Sequence, residues 1–154
     1  MLLRIYTDTS VIGGCQDEEF RVPSQRLLDA FVNGEYIMVL SELTLQELDQ
    51  APSAVRNVLT RIPEAFLEVL SVSLDANELA SAYIAEGLLA ETKRADAVHI
   101  AVATLSKVDV LVSWNFKHIV NLDRIHGYNS VNLRRGFQLL EIRSPWEVLR
   151  SEPE

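Results

Sequence analysis

Short apolar runs recur along this sequence, most followed by a segment of helical character, and that alternation limits the fold more than any other feature. Residues 2–7 (LLRIYT), 36–40 (YIMVL), 66–73 (FLEVLSVS), 109–115 (DVLVSWN) and 139–142 (LLEI) carry the apolar bias expected of buried strands. Residues 22–35 place Leu27, Leu28, Phe31 and Val32 at helical spacing before an Asn33-Gly34 stop. Ser41 is placed to cap a helix over 41–52, and Pro52 marks a break or a new start before a helical stretch that Pro63 ends. Residues 74–89 set Leu74, Leu79, Tyr83 and Ile84 on one side of a helix, and 93–107 have the small and β-branched residues of a tightly buried one. The pattern predicts an α/β protein: a three-layer α/β/α sandwich around a mostly parallel sheet of about five strands, with right-handed crossovers.

A chain of 154 residues suits one domain, expected over 1–150 with a short tail at 151–154. No apolar run approaches the ~20 residues that span a bilayer, and MLLRIYTD turns acidic too soon for a signal peptide. No membrane association is expected. The single cysteine, Cys15, excludes an internal disulfide framework and a Cys-rich zinc site, and fits a reducing, cytoplasmic setting. A net charge of −8 argues against broad adhesion to nucleic acid, but not against a nucleic-acid enzyme whose own carboxylates hold cations.

Carboxylates stand at telling places. Asp8 ends the first run, Glu47 lies about two turns into the helix after the second, and Asp96 is near the start of KRADAVHIAVA. Asn115 closes the fourth run. In a parallel sheet the carboxyl ends of the strands and the starts of the following helices share one edge, so these four side chains can meet. Singly, Asp8 reads as a turn or helix cap, Glu47 as a solvated helix residue and Asp96 as a first-turn acid facing the helix dipole. Together they form a repelling cluster that favours protonation or a cation, and hard oxygen ligands suit Mg²⁺ or Mn²⁺.

The segments YTDTSVI, SELTLQEL, RADAVHIAVA and VDVLVSWNFKHI, in this order and spacing, resemble the PIN-domain ribonucleases, especially the VapC-like toxins of toxin–antitoxin pairs. The tail NLRRGFQLLEIRSPWEVL is similar to the closing segment of part of that family. The resemblance implies a PIN-like fold and Mg²⁺- or Mn²⁺-dependent hydrolysis of RNA. Asp8, Glu47 and Asp96 take the metal-binding positions, with Asn115 beside them in catalysis. Thr9, Ser10 and Ser113 take positions that shape the site or place substrate. Glu47 matches through the T-x-x-E spacing from Thr44, which Glu42 does not share. Asn115 stands where many members carry a fourth Asp, and His118 where some carry another acid. Implied partners are an RNA substrate, a cognate antitoxin and a second copy of the chain, with 52–67 and 74–90 as dimer contacts.

His99, one turn from Asp96, reads as a packed helix histidine or as a support to the site. Trp114 and Phe116 read as core or lid packing, with base stacking as the other use. The pairs Lys93-Arg94 and Arg134-Arg135 read as solvated charge, with phosphate contact as the alternative. Cys15 reads as a buried thiol. Two rivals stand beside the nuclease. One is a catalytically weak PIN-like module that binds RNA or a protein, which Asn115 favours. The other is a phosphatase with Asp8 as nucleophile, which Ser10 disfavours because a second acid belongs there.

Overall fold

In the computed structural model, which describes residues 1–149, the apolar runs form one sheet and the intervening segments cover it. The expected tail at 151–154 lies outside the described residues. β1 (Arg4–Thr7) leads through α1 (Thr9–Gly14) and α2 (Arg21–Val32) to β2 (Ile37–Ser41). α3 (Glu42–Asp49) and α4 (Ser53–Arg56) follow, then 3₁₀ turns over Asn57–Arg61 and Glu64–Phe66, and β3 (Leu67–Leu70). Next come α5 (Leu74–Ala85), a 3₁₀ turn over Glu91–Lys93, α6 (Arg94–Leu105) and β4 (Val110–Val112). α7 (Leu122–Arg134), β5 (Ile142–Arg143) and α8 (Pro145–Val148) end the described chain.

The sheet order is β3-β2-β1-β4-β5 and every pairing is parallel. Side chains alternate across a strand, so neighbours in β1 feed opposite layers. Ile5 packs with Met38, Val112, Leu27 and Phe31 beneath α2. Tyr6 packs with Val39, Leu111, Leu79, Ile100 and Tyr128 beneath α5, α6 and α7. Each large side chain so buried contributes about 1.5–3 kcal/mol, and the two layers make the expected sandwich. From β1 the chain steps outward to β2 and β3, then returns to place β4 on the other side of β1. The carboxyl ends of β1 and β4 therefore flank the switch point, where open α/β sheets bind ligands.

Two local expectations are corrected, and one element is new. The fifth strand is Ile142–Arg143 rather than 139–142, because Asn129 on α7 claims the Leu140 backbone: its Oδ1 accepts from the Leu140 N–H at 2.7 Å and its Nδ2 donates to the Leu140 carbonyl at 3.1 Å. Leu74 is exposed, not on the buried side; it is the first residue of α5, and the packed face is Ala76, Leu79, Ala80 and Tyr83. α7 has no counterpart in the sequence reading. It starts at Asn121, whose Oδ1 accepts from the Arg124 N–H, and it buries Tyr128, Val131 and Asn132. Gly34, after α2, adopts φ +74°, as a helix-terminating glycine does. Among the described residues no helix is long and apolar enough to cross a membrane.

Candidate active site

Asp8 follows β1 at the head of α1, yet its side chain makes no capping bond. It is 6% exposed, and its Oδ2 accepts from Ser10 Oγ at 2.7 Å and Ser113 Oγ at 2.8 Å. Each hydroxyl has one proton, and both are directed at Asp8. Their lone pairs in turn accept the backbone N–H groups of Trp114 (3.0 Å to Ser10) and Asn115 (2.9 Å to Ser113). The two serines thus clamp the carboxylate to the turn after β4. Of the two glycines that follow, Gly14 is required by space: a Cβ there would occupy the place of Ser24 Oγ, which accepts from Trp114 Nε1 at 2.8 Å and fixes the same turn.

Glu47 enters from α3, oriented by the Ser41–Thr44 turn, where the Ser41 N–H donates to Thr44 Oγ1. Thr9 Oγ1 (2.7 Å) and His99 Nε2 (2.6 Å) both donate to its Oε1, which leaves Oε2 to other partners. Partial burial raises its pKa, but the His99 and Thr9 bonds outweigh that and hold it below the ordinary value. His99 is completely buried and bridges Glu47 to Tyr6, with Nδ1 2.7 Å from the phenol oxygen. A carboxylate only accepts, so Nε2 carries a proton. Burial lowers the His99 pKa, while the Glu47 bond and the charges of Asp8, Glu47 and Asp96 more than reverse this and raise it. In the protonated ring Nδ1 donates to Tyr6, whose hydroxyl then donates to Ser41 Oγ at 2.8 Å. His99 therefore serves Glu47 across the sheet edge and not Asp96, its neighbour on α6.

Asp96, in the first turn of α6, sits differently. Its pKa is raised, first by burial and then by the charge of Asp8, with His99 and His118 acting the other way. Among the described residues, its side chain accepts a hydrogen bond from Asn115 Nδ2 at 3.3 Å. The Asn115 Oδ1 accepts the His118 N–H at 3.0 Å, so both ends of the amide are engaged within the protein. His118 stands within electrostatic reach of Asp96; its Nδ1 is buried without a partner among the described residues. Glu42 is exposed and accepts the Val72 N–H at 3.4 Å, outside this cluster.

The structure therefore brings Asp8, Glu47, Asp96, Asn115, Thr9, Ser10, Ser113 and His99 to one edge. It adds Tyr6 and Ser41, which the sequence reading missed. The one signal for Tyr6 was its place two residues before Asp8; its partner His99 is supplied by the tertiary fold. Among the described residues no three His, Cys, Asp or Glu side chains are grouped to hold one ion. The mutually repelling pair Asp8 and Asp96 nevertheless suits a hard divalent cation, because Mg²⁺ binds through one or two carboxylates and keeps its waters. Cys15 is buried, its thiol pushed up to about 11 by burial, as a packing residue should be.

No protein-family model matches the sequence, and no curated protein matches it. Solved structures do match by shape. FitAcB from Neisseria gonorrhoeae aligns at 13% identity and TM-score 0.59, over 92% of this chain and 98% of its own. VapBC2 from Rickettsia felis, bound to a promoter DNA fragment, aligns at 14% and 0.57, over 92% and 98%. VapC20 from Mycobacterium tuberculosis, a sarcin–ricin-loop-cleaving toxin, aligns at 16% and 0.57, over 74% and 92%. The chain has the fold of the VapC-type PIN domains.

Proposed function

We infer that this protein is an endoribonuclease of the toxin type, dependent on Mg²⁺ or Mn²⁺. The observation that carries the reading is the convergence of Asp8 and Asp96 at the switch point between β1 and β4, linked through Ser113, which bonds Asp8 and the Asn115 N–H, and through Asn115, whose amide bonds Asp96. These two side chains would hold the cation. When bound, such an ion acidifies water and offsets the charge of a phosphodiester. Ser10 and Ser113 keep Asp8 oriented, and Asn115 Nδ2 does the same for Asp96. Glu47 stays ionised, and its Oε2, which neither Thr9 nor His99 uses, accepts a proton from the attacking water. Water attacks phosphorus, the bond to the leaving ribose oxygen breaks and that oxygen takes a proton from solvent, so no covalent enzyme intermediate is needed. A fold neighbour that cleaves the sarcin–ricin loop supports RNA as substrate. Neighbours solved as toxin–antitoxin assemblies support an antitoxin partner. A two-fold dimer through 52–67 and 74–90 belongs to the same reading, and light scattering that finds only monomer at high concentration would remove it.

The test is RNA cleavage with Mg²⁺ or Mn²⁺ against a chelator, in the parent and in Asp8→Asn. The parent should cut only with metal. The variant should stay folded, because an amide oxygen can still accept both serine protons, and should not cut. Equal cleavage by both would overturn the site. The weak-module reading draws on the engaged amide of Asn115 and predicts RNA binding without metal-dependent cleavage.

A further inference from the structure

The turn after β4 changes character one residue beyond Asn115. Trp114 is buried and fixed: it stacks on Phe20 at 4.3 Å and 15°, and its indole N–H bonds Ser24. Phe116 stands edge-on to it at 6.1 Å and 60°, yet is 50% exposed. The backbone beneath Phe116 is held as well. Its N–H donates to the Trp114 carbonyl at 3.0 Å, and the Tyr128 hydroxyl donates to the His118 carbonyl at 2.6 Å. An apolar ring is thus displayed on a rigid base beside the side chain that bonds Asp96.

Positive charge gathers around the same turn, in a chain of net charge −8. Lys117 is on the turn. Lys93 precedes α6, three residues before Asp96. Arg124 lies one turn before Tyr128, on the same face of α7. Two hydrogen bonds tie their elements to the turn: Asn115 Nδ2 to Asp96 brings in the start of α6 with Lys93, and the Tyr128 hydroxyl to the His118 carbonyl brings in α7 with Arg124. Among the described residues none of the three forms an ion pair, whereas Arg94 is tied to Glu91 and Arg134 to Glu86. Cations around a displayed aromatic are the combination that holds single-stranded nucleic acid: phosphates meet the charges, and a base lies on the ring. A protein partner would need neither the regular spacing of anions nor a flat ring.

Building on the nuclease reading, we propose that the Asn115–His118 turn, with Lys93 and Arg124, is a track for single-stranded RNA, in which Phe116 stacks a base and Lys93, Lys117 and Arg124 hold phosphates. The experiment follows binding of a short, labelled, mixed-sequence RNA by anisotropy, in the Asp8→Asn background. Phe116→Ala should weaken binding about tenfold at every salt concentration, while Phe116→Trp should not. The loss should vanish on an abasic strand. Lys93→Ala, Lys117→Ala and Arg124→Ala should each make the slope of log affinity against log salt shallower by roughly 0.7. Affinity for RNA and salt slopes unchanged in all four alanine variants overturn the track and assign the patch to a protein partner. Cleavage by the parent, scored in parallel, separates the two claims: track-dependent binding without cleavage overturns the nuclease alone, and cleavage with track-independent binding overturns the track alone.

Discussion

Glu47 and Asp96 are carboxylates at the same edge of the same sheet, and their surroundings move them in opposite directions. Glu47 is matched: a buried imidazole and a threonine hydroxyl hold one oxygen, and its pKa falls. The Asp96 pKa rises, first through burial and then through the charge of Asp8, and its bond from an amide is long. Pairs of groups pushed apart in this way mark a division of labour. Under the proposed mechanism the matched carboxylate takes the proton of the attacking water, and the mismatched one gains most from a cation.

The largest test of that contrast is Asp96→Asn. With one of two direct carboxylates gone, cleavage should fall by on the order of a thousandfold in kcat/KM, the loss of several kcal/mol of transition-state stabilisation. Retained cleavage would make Asp96 a bystander. Next is His99→Gln, which breaks the imidazole bridge between Glu47 and the Tyr6 hydroxyl. Urea unfolding should show a loss of about 2–3 kcal/mol, and cleavage should drop about 10–100-fold, as when a positioning partner is lost. A variant as stable as the parent would show that the bridge does not hold Glu47. Asn115→Asp sharpens the contrast further: it deletes the donor to Asp96 and adds a like charge. Without metal it should cost about 1–2 kcal/mol. Mg²⁺ should raise its Tm by more than the parent's, because binding to the folded form alone is stabilising. Equal Mg²⁺ shifts would show that the amide does not limit cation binding. The smallest effect is one of sign. In chelator, Asp96→Asn should gain and Glu47→Gln lose about 0.5 kcal/mol each, and calorimetric scans moving the same way would remove the distinction.

Much of this was legible in the sequence because parallel topology turns strand ends into an address. Asp8, Glu47, Asp96 and Asn115 could be placed together from apolar runs and helix starts alone. What was not legible depends on contacts between distant elements. Tyr6 counts as one more apolar residue of β1 until His99 is seen across the edge. α7 gives little helical signal, since Gly127, Asn129, Ser130 and Asn132 are poor helix formers. Tertiary bonds overrule that preference: Asn132 is buried, accepting from the Tyr83 hydroxyl, and Asn129 holds Leu140. The same Asn129 shortens β5, so one residue accounts for two departures. Asn115 drew attention as a missing acid, and nothing in its neighbours foretold that its carbonyl would cap its own turn.

The serine clamp on Asp8 has a consequence in time. Ser10 is two residues away, but Ser113 lies 105 residues further along the chain. β1, β2 and β3 can pair as soon as the first half of the chain exists, yet β1 keeps an open edge until β4 is made and docks against it. Closing so long a loop is the slow kind of folding event, and the ribosome adds residues at roughly 5–20 per second. A nascent chain therefore carries Asp8 and Glu47 for many seconds without the turn that orients the first of them. On the proposed nuclease reading, a chain stalled before β4 would lack the clamp on Asp8 and be inert toward RNA.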